Sequence, residues 1–213
     1  MRPRHLLAAA CVAALFLAKP PATSAGGFAI DAQGGYFSIA AKDSAEAVLG
    51  SSGFGTFGGG LSYTFGKGIF VHAGVRVASR DGERVFVADP AGEVFKLGHP
   101  VSFRLVPVEF TLGYRFGRFG SFTPYIGVGG GVTSVKEEST VAGITEKESQ
   151  SKGSGHARIG LEFGKKALRF AVEAQWSTVP DAIGVGGVSK IYGESNVGGF
   201  TVLGKLIFTT ARD

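Results

Sequence analysis

The sequence predicts an all-β fold, an eight-stranded antiparallel up-and-down transmembrane β-barrel, and three observations predict it. Apolar and polar residues alternate with period two in stretch after stretch, the mark of strands whose two faces meet different surroundings. Phe65-Gly66-Lys67, Phe116-Gly117-Arg118 and Phe163-Gly164-Lys165 close three of these stretches, and each is soon followed by another that opens on a large apolar residue. No run of about 18 apolar residues follows residue 25, so a membrane crossing would have to be made by strands in a closed ring. Short turns at one end, long loops at the other and aromatics around the short end describe a barrel of the outer-membrane kind.

Residues 1–25 read as a secretory signal peptide. Arg2 and Arg4 make a charged start, Leu6 to Ala18 is an apolar run, and Ala22-Thr23-Ser24-Ala25 offers small residues for cleavage. The run is too short to cross a bilayer as a helix. It also continues past Cys11, which a lipoprotein signal would not do. The single barrel domain then occupies 26–213. Cys11 is the only cysteine, so no disulfide framework is expected in that domain. Removing Arg2, Arg4 and Lys19 takes the net charge from +5 to +2, and no basic cluster with interleaved aromatics remains to suggest nucleic acid.

In chain order the expected strands are 27–41, 54–65, 69–80, 101–116, 122–136, 153–163, 167–178 and 196–209. Longer loops are expected at 42–53, 81–100, 137–152 and 179–195. In the fourth strand Val106, Val108, Phe110, Leu112 and Tyr114 oppose Pro107, Glu109, Thr111, Gly113 and Arg115. In the sixth, Ala157, Ile159, Leu161 and Phe163 oppose His156, Arg158, Gly160 and Glu162. The third and seventh strands behave alike: Val71, Val75 and Val77 against His72 and Arg76, and Leu168, Phe170, Val172 and Trp176 against Arg169, Glu173 and Gln175. Periodicity alone does not say which face points outward. Sparse, nearly balanced polar faces and aromatics gathered at strand ends place the apolar face in lipid. Glycine runs such as Gly58-Gly59-Gly60 and Gly127-Val128-Gly129-Gly130-Gly131 would relieve crowding in a tightly curved wall.

The interior would then hold Asp31, Glu109, Glu162 and Glu173 against Arg76, Arg115, Arg158, Arg169 and Lys205. Charges in so narrow a cylinder must pair, since an isolated one costs several kcal/mol. The expected role of this set is structural, a plug of ion pairs, with a narrow polar conduit or ligand site as the other reading. His72 and His156 also point inward, and Ser62 with a glutamate could complete a hydrolase constellation. However, no His-x-Ser pair on a late strand supports catalysis, and two separated histidines do not make a metal site. Gly53-Phe54-Gly55-Thr56-Phe57-Gly58 spells the dinucleotide fingerprint but lacks the strand before it and the helix after it. Neither cofactor nor catalytic residue is expected.

With its turn chemistry and strand pattern, the whole mature chain resembles the small outer-membrane β-barrel proteins of Gram-negative-type bacteria, of the OmpW, OmpX and OmpA-barrel type. The resemblance implies an outer-membrane location, with outer-membrane lipid and the barrel-assembly machinery as partners. It also implies a non-enzymatic role: structural, in surface interaction, or in the passage of small molecules. A small hydrophobic or polar ligand is a further partner to consider. The alternatives are a lipid-acting barrel enzyme, which would need His156, and a soluble lipocalin-like carrier.

Overall fold

A computed structural model describes residues 26–88, 92–141, 143–164 and 167–210. The expected signal segment lies outside the described residues. Eight strands follow one another: β1 Gly27–Ile39, β2 Gly53–Thr64, β3 Ile69–Val87, β4 Val94–Arg115, β5 Phe122–Val141, β6 Ile144–Phe163, β7 Leu168–Thr178 and β8 Gly199–Thr209. Each pairs antiparallel with the next, and β8 returns to β1 to close the ring. Closure gives every backbone donor and acceptor in the wall a neighbour, the condition for placing strands in lipid.

The short turns are built as their sequences imply. At the first, Lys67 and Gly68 take positive φ (68° and 84°), and the Phe65 amide donates to the Ile69 carbonyl at 2.7 Å. The second carries Gly120 at φ 59°, and the Phe119 amide donates a hydrogen bond to the Phe122 carbonyl at 2.9 Å. At the third, Gly164 has φ 120°, while Lys165 lies outside the described residues.

Alternation becomes two surfaces. Phe110 is 64% exposed while its neighbour Glu109 is 5% exposed, an inversion of the usual soluble pattern. Phe28, Ile30, Leu61, Val71, Val75, Val108, Val128, Ile159 and Val172 join Phe110 on the outer face. Aromatic rings bound this band at both ends. At the short-turn end Phe28 meets Tyr63 at 4.7 Å, Tyr63 meets Phe65 at 4.8 Å, and Phe122 meets Phe163 at 6.3 Å between centroids. At the other end stand Tyr36, Phe57, Trp176 and Phe200, all exposed. Phe28 to Tyr36 in β1 and Phe200 to Phe208 in β8 each match the roughly 9–11 residues of a tilted bilayer-crossing strand.

The long-loop end differs from expectation. In place of loops over 81–100 and 137–152, β3 with β4 and β5 with β6 continue as hairpins far beyond the ring. β2 pairs with β3 only as far as Ala78, and β7 with β6 only as far as Gly155. The two hairpins stay joined through Val101 opposite Ser139, so four strands rise together as one arm. The 42–53 segment is mostly a helix, α1 (Lys42–Leu49), and 179–195 contains a single helical turn, α2 (Gly187–Ile191).

α1 has good reasons to form. Ala45, Glu46, Ala47 and Leu49 are strong helix formers, and Gly50 ends it in the left-handed region with its amide bonded to the Glu46 carbonyl. Its first-turn amides are capped from a distance: Asp43 and Ser44 donate to the two Glu194 carboxylate oxygens at 3.2 and 2.9 Å. At its other end Arg80 donates to the carbonyls of Leu49 (3.0 Å) and Gly53 (3.2 Å). The helix thus lies over the mouth. Ala45 and Leu49, with Ala41 just before the helix, are buried against Phe37, Ile39, Phe54, Phe103, Leu105, Val135, Val179 and Val197.

Candidate functional site

Inward parity brings the charged residues of six strands into the lumen. Arg76 on β3 donates to Glu109 on β4 at 2.7 Å and to the Gln175 side-chain oxygen on β7 at 3.3 Å. The Gln175 amide in turn donates to Glu109 at 2.8 Å. Arg158 on β6 lies between two carboxylates, 3.5 Å from Glu109 and 3.6 Å from Glu173. Glu173 also accepts from Lys205 on β8 at 2.7 Å and from the Tyr125 hydroxyl at 2.8 Å. All of these side chains are buried.

Asp31 is placed differently from the simplest acid–base pairing. Its Oδ2 lies 3.0 Å from His72 Nε2, and the other ring nitrogen of His72 is 3.4 Å from Arg158. A second group sits nearer the short turns, where Glu162 accepts from Arg115 at 3.2 Å and from Arg169 at 2.9 Å. Arg115 also bonds Thr64 and stacks over Phe70, its guanidinium carbon 4.4 Å from the ring centroid. All nine sequence-derived charges therefore lie in the lumen; eight have a described partner of opposite charge, and Asp31 meets the His72 imidazole. Gln175, Tyr125, Thr111 and the two histidines complete the set. Gln175 and Thr111 share the inward parity of the charges on their strands, and that parity is the signal that marks them.

Glycine makes room for this. An added Cβ at Gly129 would collide with the Phe110 carbonyl oxygen and crowd the His156 ring, and one at Gly160 would collide with the Tyr125 ring. The wall gives up side chains where the interior needs bulk.

His156 Nε2 is 2.9 Å from the Thr111 hydroxyl and 3.2 Å from Arg158, with Glu109 3.9 Å from Nδ1. A hydroxyl, an imidazole and a carboxylate in that order have the composition of a catalytic triad. Here all three residues are buried (3%, 6% and 5% exposed) beneath the apolar cap. The Gly53–Gly58 fingerprint runs within strand β2. Between the ionic layer and the cap lies a cavity of about 30 Å³, lined by Arg76, Glu109, Thr133, Ser154 and Thr201 among others. It has room for a water molecule or two and no solute.

The comparisons with known proteins agree with this architecture. The description "Outer membrane protein beta-barrel domain" matches residues 7–198. No curated protein matches the chain. Among solved structures, the outer membrane protein OprG of Pseudomonas aeruginosa aligns with TM-score 0.53 at 14% identity, covering 88% of this chain and 97% of that one. A major outer membrane protein of Thermus thermophilus gives 0.53 at 11% identity, with 87% and 99% covered. Ail, the attachment invasion locus protein of Yersinia pestis, in complex with the heparin analogue sucrose octasulfate, gives 0.50 at 16% identity, with 85% and 99% covered. Sequence and closed ring agree: this chain belongs to the outer membrane protein β-barrel domain family and resides in the outer membrane.

Proposed function

We propose that the protein is a non-enzymatic outer-membrane barrel whose filled lumen is a structural core and whose four-strand arm is its working surface, held outside the cell. The observation that carries this reading is the contrast between the two ends of the molecule. Ion pairs cross the lumen from the Arg115–Glu162–Arg169 group through Arg158 to Arg76, and the apolar cap under α1 lies above them. The arm instead leaves Phe86, Phe95, Leu97 and Ile144 in the open, 58%, 48%, 45% and 71% exposed. Exposed apolar side chains on a polar hairpin favour contact with a partner. Residues 1–25 fit the reading as the cleaved export signal, and assembly machinery would insert the barrel.

Reconstitution into a planar bilayer tests it. The expected result is no steady ohmic conductance, together with an arm that whole-cell protease or labelling reagents reach. A steady conductance that changes with Arg76→Gln would overturn the structural reading of the lumen and favour passage. The enzymatic alternative is read from lipid turnover: hydrolysis lost in both Thr111→Val and His156→Ala, with the barrel still folded, would establish it.

A further inference from the structure

A row of four polar side chains crosses the lipid-facing wall at the base of the arm. Backbone register sets Ser79 on β3 opposite Arg104 on β4, Arg104 opposite Lys136 on β5, and Lys136 opposite Ser149 on β6. All four are exposed. They share the outward parity of Val75, Val108, Val132 and Ile159, so they stand on the surface that meets lipid and not over the mouth. Val106, two positions along from Arg104, belongs to the apolar wall, and Val108 opposite Val132 continues it. The row therefore sits where the apolar band gives way to headgroups.

Two features ask for an anion. Arg104 and Lys136 are directly opposed like charges, an arrangement that weakens an antiparallel pair. Neither forms an ion pair among the described residues, although one row further out Lys147 pairs with Glu138 at 3.1 Å. Adjacent strands lie about 4.8 Å apart, so a guanidinium and an ammonium on long stems can converge on a single tetrahedral anion. Serine hydroxyls at both ends keep the row polar where it meets the apolar wall, and a guanidinium beside an ammonium suits phosphate.

We propose that Arg104 and Lys136, flanked by Ser79 and Ser149, bind the phosphate of an outer-leaflet lipid headgroup. A lipid is the occupant because the site opens onto the apolar wall, where acyl chains from the same molecule would lie over Val106, Val108 and Val132. Which leaflet supplies it rests on the orientation proposed above.

The test uses the full barrel refolded into phosphatidylcholine vesicles containing a small fraction of phosphorylated lipid A or of the same lipid stripped of its phosphates. Native mass spectrometry reads which lipid stays on the protein. The wild type should retain the phosphorylated form in preference, and Arg104→Gln/Lys136→Gln should lower that preference by about tenfold. Lys147→Gln, which removes a cation already paired, should leave it unchanged. Heat-dependent gel migration checks that each variant folds, and Arg104→Gln alone serves if the double variant does not. Equal retention by wild type and variant would overturn the site. So would binding of inorganic phosphate in pure phosphatidylcholine as tight as that of the lipid, because the ligand would then be a free anion. Orientation is read separately by labelling the arm on intact cells. An arm inaccessible from outside would overturn both the leaflet and the surface role while leaving the retention ratio as measured.

Discussion

Arg158 touches two carboxylates and two imidazoles at once, and its side chain is 3% exposed. Removing it leaves Glu109 to Arg76 and Glu173 to Lys205 but takes away the cation they share, so Arg158→Met should cost about 1–3 kcal/mol. Urea unfolding followed by loss of heat-dependent gel migration would measure it. A double change of Glu173→Leu and Lys205→Met should cost less than either single change, because a buried pair can be replaced by apolar packing. Additive losses would argue against that account. At Gly160 a leucine would collide with Tyr125 and should prevent the short-turn half of the barrel from packing. The charges were legible in the sequence because strand parity alone sends them inward. Their partners were not. Which residue meets which depends on how far each strand is staggered against the next, and the pairing of Asp31 with His72, two strands away, is a product of that stagger.

At the scale of elements, the sequence spoke clearly wherever lipid imposes a contrast and poorly where it does not. β5 and β6 beyond Lys136 and before Lys152 are polar on both faces, so no alternation marks them as strands. Glu83 and Val85 flank a register shift in β3 that breaks the period there as well. α1 went unread because its buried side is narrow, little more than Ala45 and Leu49 within eight residues. Its N-terminus depends on Glu194, so Glu194→Ala should weaken it by about 1 kcal/mol, seen as faster hydrogen exchange at Asp43 and Ser44. In the arm, Glu137 lies directly opposite Glu148. Desolvation and then the facing Glu148 push the Glu137 carboxyl above its ordinary value, with Arg84 opposing. A raised carboxyl in the folded state means that ionisation works against the fold. Protection of the arm from exchange should therefore increase as pH falls from neutral into the carboxylate range. Glu148→Gln should raise protection at neutral pH and flatten the dependence.

For the whole molecule, the proposed function assigns cohesion to ring closure outside and ionic packing inside, and gives the arm no part in either. Shortening both hairpins to tight turns, at 82–99 and 138–148, should leave a barrel that still migrates differently before and after boiling in SDS. Loss of that difference would mean that the arm takes part in closing the ring. The seam of the ring is of another kind. β1 and β8 meet along their full length, and at its short-turn end the Phe28 amide donates to the Thr210 hydroxyl at 3.1 Å and the Thr210 amide to the Phe28 carbonyl at 2.8 Å. Where the covalent chain is cut is thus arbitrary with respect to the cylinder. A circular permutant that joins residues 26 and 210 by a brief linker, and opens the chain between Gly117 and Gly120, should enclose the same interior with a different strand first.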